Sequence, residues 1–269
     1  MGWLGYMLSP TYRRRFKAHV AQAGVDRNTA RAAIAEAGRL LMELPYLWMR
    51  PSSQPIRPAL KLSGEALIES AQGQGRGVVI LTPHMGCFEV TAQACAERFG
   101  ARHPITVLYR PARKAWLREL VDTSRTRPGL AVAPATLAGV RQMMRALRRG
   151  ETVGLLPDQV PPDGMGVWAP FFGRPAYTMT LAARLVQQTG AALVLTWGER
   201  LPGGEGYAVR FSAFEEALPE DQTQAATVIN RAMERLIMQC PQQYLWGYDR
   251  YKAPRPVGAA ETAAQAYKD

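Results

Sequence analysis

The chain has 269 residues, 47% of them hydrophobic, enough to bury a sizeable core within a single domain. Its 33 Lys+Arg against 22 Asp+Glu give a formal net charge of +11, which favours anionic partners. Nucleic acid is disfavoured, because no aromatic-interleaved or helix-turn-helix pattern accompanies the charge. Cys87, Cys95 and Cys240 lack C-x-x-C spacing, and His19, His84 and His103 are scattered, so no metal site is expected and a reducing compartment is.

From the N-terminus, MGWLGYML precedes a basic cluster of Arg13, Arg14, Arg15 and Lys17. The apolar stretch is about half the length needed to span a bilayer, and it lacks the basic leader of a secretory signal. It suits a helix lying in a membrane interface with the cations against anionic headgroups; the alternative is a helix whose aromatic side docks on the domain. Asn28 is placed to cap a helix over 28–44 with Ala30, Ala33, Ile34, Ala37, Leu40 and Leu41 on one face, and Pro45 should end it. The proline-rich stretch MRPSSQPIRP reads as a connector. The expected division is an N-terminal helical segment over 1–48, a domain over 49–256 and an alanine-rich tail over 257–269 expected to fray.

Beyond the connector, a helix is expected near 63–72. Strands are expected at 77–82, 104–109, 130–134 and 152–156, with helices between them. This alternation predicts an α/β fold, one domain with a largely parallel central sheet flanked by helices. After a helix near 178–189, the runs 191–197 and 207–211 form a hairpin turned by Pro202, Gly203 and Gly204. A helix near 221–239 leads into the last block.

The run GVVILTPHMGCFE carries the strongest chemical signal. An unbroken apolar stretch marks a strand covered on both faces, and Thr82-Pro83 stops it. His84 therefore sits beyond the carboxyl end of a sheet strand, where open α/β sheets hold their chemistry. Glu89 follows five residues on, a spacing that brings the two side chains together only if His84 precedes the helix. So arranged, His84 is a general base and Glu89 the carboxylate that orients it. The alternative is a capping or core histidine beside an ordinary first-turn acid.

HMGCFE fits the H-x4-[D/E] signature of the glycerolipid-type acyltransferases, and three blocks follow in order: LYRPARKAWL, LLPDQVPPDGMGVWAPFFGRPAYT and PQQYLWGYDRYK. Together these resemble the late acyltransferases of lipid A biosynthesis over roughly residues 8–256. The resemblance implies transfer of a fatty acyl chain from acyl carrier protein to a hydroxyl of a glycolipid precursor, at the cytoplasmic face of the bacterial inner membrane, with peripheral or monotopic attachment and no cofactor. It implies His84 and Glu89 as catalytic residues, Arg110 and Arg125 as phosphate-binding residues, and Asp158 and Gln159 on the acceptor side. Where family members carry R-G-R, this chain has Arg125-Thr126-Arg127. Its apolar N-terminal stretch is also shorter than the family's, which favours peripheral attachment. The closing block is assigned no chemistry.

Two further readings fit the same residues: an acyltransferase acting on a lysophospholipid, aminolipid or glycosylated phosphoinositide, and a non-catalytic protein that binds anionic membrane or carrier. Arg141, Arg145, Arg148 and Arg149 form a basic stripe on one helix. It either receives the acidic helix of a carrier protein, rests on anionic lipid, or is a plain solvated face. Backbone N–H groups at the start of the 87–99 helix are the candidate oxyanion donors.

Overall fold

A computed structural model of the chain describes residues 1–56, 60–109 and 127–256. Three helices come first: α1 (Gly2–Leu8), α2 (Pro10–Gln22) and α3 (Arg27–Met49). They lead into β1 (Leu60–Ser63), α4 (Ala66–Gly73), β2 (Val78–Leu81), α5 (Phe88–Phe99), β3 (Ile105–Tyr109) and β4 (Leu130–Pro134). There follow α6 (Leu137–Arg148), β5 (Thr152–Leu155), β6 (Gly166–Phe171), β7 (Arg174–Met179) and α7 (Leu181–Thr189). The last elements are β8 (Ala192–Arg200), β9 (Tyr207–Ala213) and α8 (Gln222–Ile237).

Seven strands form one sheet in the order β1-β9-β8-β2-β5-β3-β4. Only the β8–β9 pair is antiparallel, the hairpin expected from the Pro-Gly-Gly turn; the other pairs are parallel. The fold is thus the expected α/β domain with a mostly parallel sheet.

Strand β2 sits in the middle with all four residues buried, and alternation sends its side chains to two cores. Val79 and Leu81 face Met143 and Leu147 of α6, Leu185 of α7 and Ile229 of α8. Val78 and Ile80 face Ile68 of α4 and Val90 and Cys95 of α5. Each fully buried aliphatic side chain of this kind contributes about 1.5–3 kcal/mol.

Two expectations about α3 are corrected. The N-cap of α3 is Asp26, whose carboxylate accepts from the N–H groups of Asn28 and Thr29 at 2.9 and 3.1 Å, rather than Asn28. The helix also runs through Pro45 to Met49. Burial of Leu40 and Leu47 on either side of the proline offsets the lost hydrogen bond, since both pack into the core that holds β2 and α5. Strand β1 is an edge strand pairing with β9, and the glycine-rich 166–179 stretch is an antiparallel hairpin, β6–β7.

The N-terminal helices share the core: Phe16, Val20, Ala33 and Ile34 lie in the same buried cluster as Val79 and Leu81. Helix α1 packs on α3 at a backbone contact, where a Cβ on Gly38 would stand 2.2 Å from the Gly2 nitrogen. Outward from this pair, Leu4, Met7 and Leu8 of α1 and Leu41, Met42 and Met49 of α3 are exposed. Among the described residues no helix is long and apolar enough to cross a membrane.

Candidate active site

The site grows from two adjacent parallel strands. Leu81 of β2 and Leu155 of β5 are register partners, and after each the chain reads x-Pro-polar: Thr82-Pro83-His84 and Leu156-Pro157-Asp158. The Thr82 N–H extends the ladder by one bond to the Leu155 carbonyl, 3.1 Å. Pro83, with no N–H, cannot continue it. His84 and Asp158 therefore leave the sheet side by side, at equivalent positions on neighbouring strands.

They meet. His84 Nδ1 lies 2.7 Å from Asp158 Oδ1, and the His84 backbone N–H donates to Oδ2 at 2.9 Å. The Asp158 side chain is 2% exposed and that of His84 18%. Burial pushes the Asp158 carboxyl up, but the His84 imidazole beside it, both hydrogen bonds and the Arg250 guanidinium outweigh that, and its net pKa is lowered. An ionised carboxylate only accepts, so Nδ1 carries a proton, and in the neutral ring the lone pair is then on Nε2. That tautomer is the one a general base requires.

The loop after His84 is locked from outside the sheet. Gly86 has φ +59, and a Cβ there would stand 1.9 Å from the Gly198 carbonyl oxygen, so glycine alone fits. Its N–H donates to the Gln243 carbonyl at 2.9 Å, that of Cys87 to Gly198 at 2.8 Å, and that of Leu245 to the His84 carbonyl at 3.1 Å. The closing block PQQYLWGYDRYK thus supports the loop that carries His84, a role its sequence did not signal. It also supplies Tyr244, whose hydroxyl is pushed well above its ordinary pKa by burial and by the Asp158 charge. From the same block comes the buried Arg250, which donates to the Tyr177 carbonyl at 2.6 Å and Thr178 Oγ1 at 2.7 Å.

His84 opens onto a cavity of about 670 Å³, within the range of pockets that enclose a small ligand. Val107, Leu108, Leu130, Val140, Met144 and Leu185 give it a mostly apolar wall, with Glu89, Gln159 and Arg184 among its polar groups. The His84 ring meets Phe88 edge to face, centroids 5.0 Å apart. Glu89, in the first turn of α5, lines the cavity with His84.

The sequence-derived site residues divide as follows. His84, Glu89 and Gln159 share the cavity. Asp158, expected on the acceptor side, lies behind His84 with both oxygens engaged by it. Arg110 and Arg125 fall outside the described residues. Arg127, next but one to Arg125, caps the carboxyl end of α3, donating to the carbonyls of Leu47 and Arg50 at 2.9 and 2.8 Å. Phe171 is a core residue, 2% exposed. Of the expected oxyanion donors, Cys87 and Val90 already spend their N–H groups on Gly198 and Cys87 carbonyls.

All three cysteines are buried and unpaired with one another. Burial pushes the Cys95 and Cys240 thiols up to about 12, and that of Cys87 higher still, so none is a thiolate nucleophile at neutral pH. Among the described residues no cluster of three His, Cys, Asp or Glu side chains is placed to hold a metal ion.

Most of the chain is similar in sequence to known proteins. The model of a family described as bacterial lipid A biosynthesis acyltransferase matches residues 22–253. The lipid A biosynthesis palmitoleoyltransferase of Escherichia coli (strain K12) is 29% identical over 222 residues, 82% of this chain and 70% of that protein. The lauroyltransferase of the same organism is 30% identical over 223 residues, with 82% and 70% covered. A lipid A biosynthesis acyltransferase of Haemophilus influenzae is 27% identical over 222 residues, with 81% and 68% covered.

Proposed function

Because the chain belongs to the bacterial lipid A biosynthesis acyltransferases, an enzyme family that moves acyl groups onto lipid A precursors, we propose that acyl carrier protein is its donor and that His84 is its general base. The observation that carries the mechanism is the ionised Asp158 on His84 Nδ1 at the end of an apolar cavity.

In this mechanism the acyl chain lies along the apolar wall with its thioester at His84. An acceptor hydroxyl attacks the carbonyl carbon while Nε2 takes its proton. The new C–O bond forms and, as the tetrahedral intermediate collapses, the C–S bond breaks and the imidazolium returns the proton to the leaving thiolate. Asp158 stays ionised throughout, fixing the tautomer and stabilising the imidazolium. Glu89 supplies a second carboxylate beside the developing cation, and Gln159 a polar contact on the acceptor side. Arg110 and Arg125 bind phosphate on acceptor or carrier, as their place in the motif implies.

Attachment is peripheral, at the cytoplasmic face of the inner membrane. The exposed apolar side chains of α1 and α3 enter the interface beside Arg13, Arg14 and Arg15. Acyl length is set by cavity shape, since each buried methylene contributes about 0.8 kcal/mol.

The test incubates the protein with lipid A precursor and acyl carrier protein carrying a lauroyl or palmitoleoyl chain, and follows acceptor mass. A gain of one ester-linked acyl group is expected. A folded protein that leaves the precursor unchanged yet acylates a lysophospholipid would overturn the acceptor assignment.

A further inference from the structure

Helix α6 has two faces with different work. Its apolar face is consumed by the core: Met143 is 0%, Ala146 1% and Leu147 2% exposed. Its N-terminal half borders the active-site cavity through Thr136, Leu137, Val140 and Met144. Outward, Arg141, Arg145 and Arg148 are all exposed at i, i+4 and i+7, a row about 10 Å long. The sequence of α6 contains no acid, and the acid that follows it, Glu151, is held by Arg149 through bonds of 2.6 and 2.9 Å. None of the three arginines of the row has a carboxylate partner among the described residues.

A row of guanidinium groups without a carboxylate partner among the described residues, on the helix that borders the cavity, is complementary to an acidic surface. A bilayer is the poorer match. An interfacial helix binds by burying an apolar face in the lipid; α6 has spent most of that face on the protein core and leaves one large apolar side chain, Leu137, exposed, whereas α1 and α3 each display several outward.

We propose that Arg141, Arg145 and Arg148 of α6 form the docking surface for an acidic carrier protein, whose thioester-bearing arm then enters the cavity past Leu137 and Val140. This rests on the reading above that the acyl donor is a carrier protein, and it adds where that carrier sits.

The test is the triple variant Arg141→Glu, Arg145→Glu, Arg148→Glu, assayed with lipid A precursor and two donors: acylated acyl carrier protein, and the same acyl chain as a pantetheine thioester without the protein. Electrostatic steering of this kind raises association rates by roughly 10- to 1000-fold. Wild-type kcat/KM with the carrier should therefore fall steeply with added salt. The triple variant should lose at least about tenfold in kcat/KM, through KM, with the carrier alone. Its rate with the pantetheine thioester should equal wild type, which also shows that the variant is folded. Wild type active with the carrier and a triple variant with unchanged KM would overturn the inference and leave the donor assignment standing. A variant that instead loses binding to phosphatidylglycerol vesicles while keeping its carrier KM would assign the row to the membrane and overturn the inference as well. Wild type active only with the pantetheine thioester would overturn the donor assignment and the docking surface together.

Discussion

Asp158→Asn is the perturbation that separates the observed arrangement from the one suggested by sequence spacing. The amide is nearly isosteric with the carboxylate, and its oxygen can still accept the His84 backbone N–H now bonded at 2.9 Å. Its other arm then presents –NH₂ to the ring nitrogen 2.7 Å away. Two donors cannot share a hydrogen bond, so Nδ1 must become the acceptor and the proton moves to Nε2. The base is lost although the histidine remains. Loss of the correct tautomer in a comparable triad costs about 10⁴-fold in kcat, and a fall of roughly 10³- to 10⁴-fold is expected here. Asp158 does not border the cavity, so KM for donor and acceptor should hardly move. The assay is steady-state acyl transfer by wild type, Asp158→Asn and Glu89→Gln. For Glu89→Gln a smaller loss, roughly 10- to 100-fold, is expected, because Glu89 lines the cavity beside His84 while Nδ1 is held by Asp158. If Asp158→Asn stays within tenfold of wild type, or Glu89→Gln costs more, Asp158 is not the orienting carboxylate.

Three more outcomes follow from particular contacts. Arg200 donates to Glu43 through two bonds of 2.5 and 2.7 Å and to Glu36 at 2.6 Å, joining α3 to β8. Arg200→Ala would leave the largely buried Glu43 without its cation and Glu36 with Arg39 alone, and should destabilise the fold by about 3–5 kcal/mol, measured by urea denaturation; a loss under about 1 kcal/mol would show that the network adds nothing. Gly86→Ala places a Cβ 1.9 Å from the Gly198 oxygen, so the loop that carries His84 must move. A drop of about 100-fold in kcat is expected with cooperative unfolding retained, and unaltered kcat would mean the loop position is unimportant. The lowered pKa of Asp158 fixes a sign for stability against pH. The unfolded chain titrates near the ordinary value of about 3.9; above it the stabilisation is fully present, and it is lost as pH falls through the lower folded value. Denaturation curves should therefore show the gap between wild type and Asp158→Asn closing below about pH 4, and a gap that widens with acid would reverse the assignment.

Strands β2 and β5 were legible because burial on both faces leaves a run without charged residues: VVIL and TVGL are buried at every position. Strand β1 was not, because LKLS alternates between half-buried and exposed positions over only four residues. The β6–β7 hairpin was hidden by its own prolines, since Pro170 and Pro175 are register partners in a two-stranded ribbon whose outer edges need no ladder N–H. Pro45 misled in the opposite direction, as the packing of Leu47 carried α3 past it.

At the site, His84 was readable from its place after a strand, whereas the carboxylate on Nδ1 was not. Asp158 lies 74 residues away and becomes a neighbour only once β2 and β5 are known to pair. A signal was nonetheless present: ILTPH and GLLPD share Leu-x-Pro followed by a polar residue at the same offset from the strand end. The supporting role of residues 243–250 left no such mark, because it acts largely through backbone carbonyls and N–H groups that any sequence possesses.

The most direct test of the central claim is transfer of a labelled acyl chain from acyl carrier protein to lipid A precursor by wild type and His84→Ala in parallel. A general base that also protonates the leaving thiolate predicts active wild type and a variant slower by about a thousandfold or more in kcat. A folded His84→Ala protein that transfers at a comparable rate would contradict the mechanism at its root.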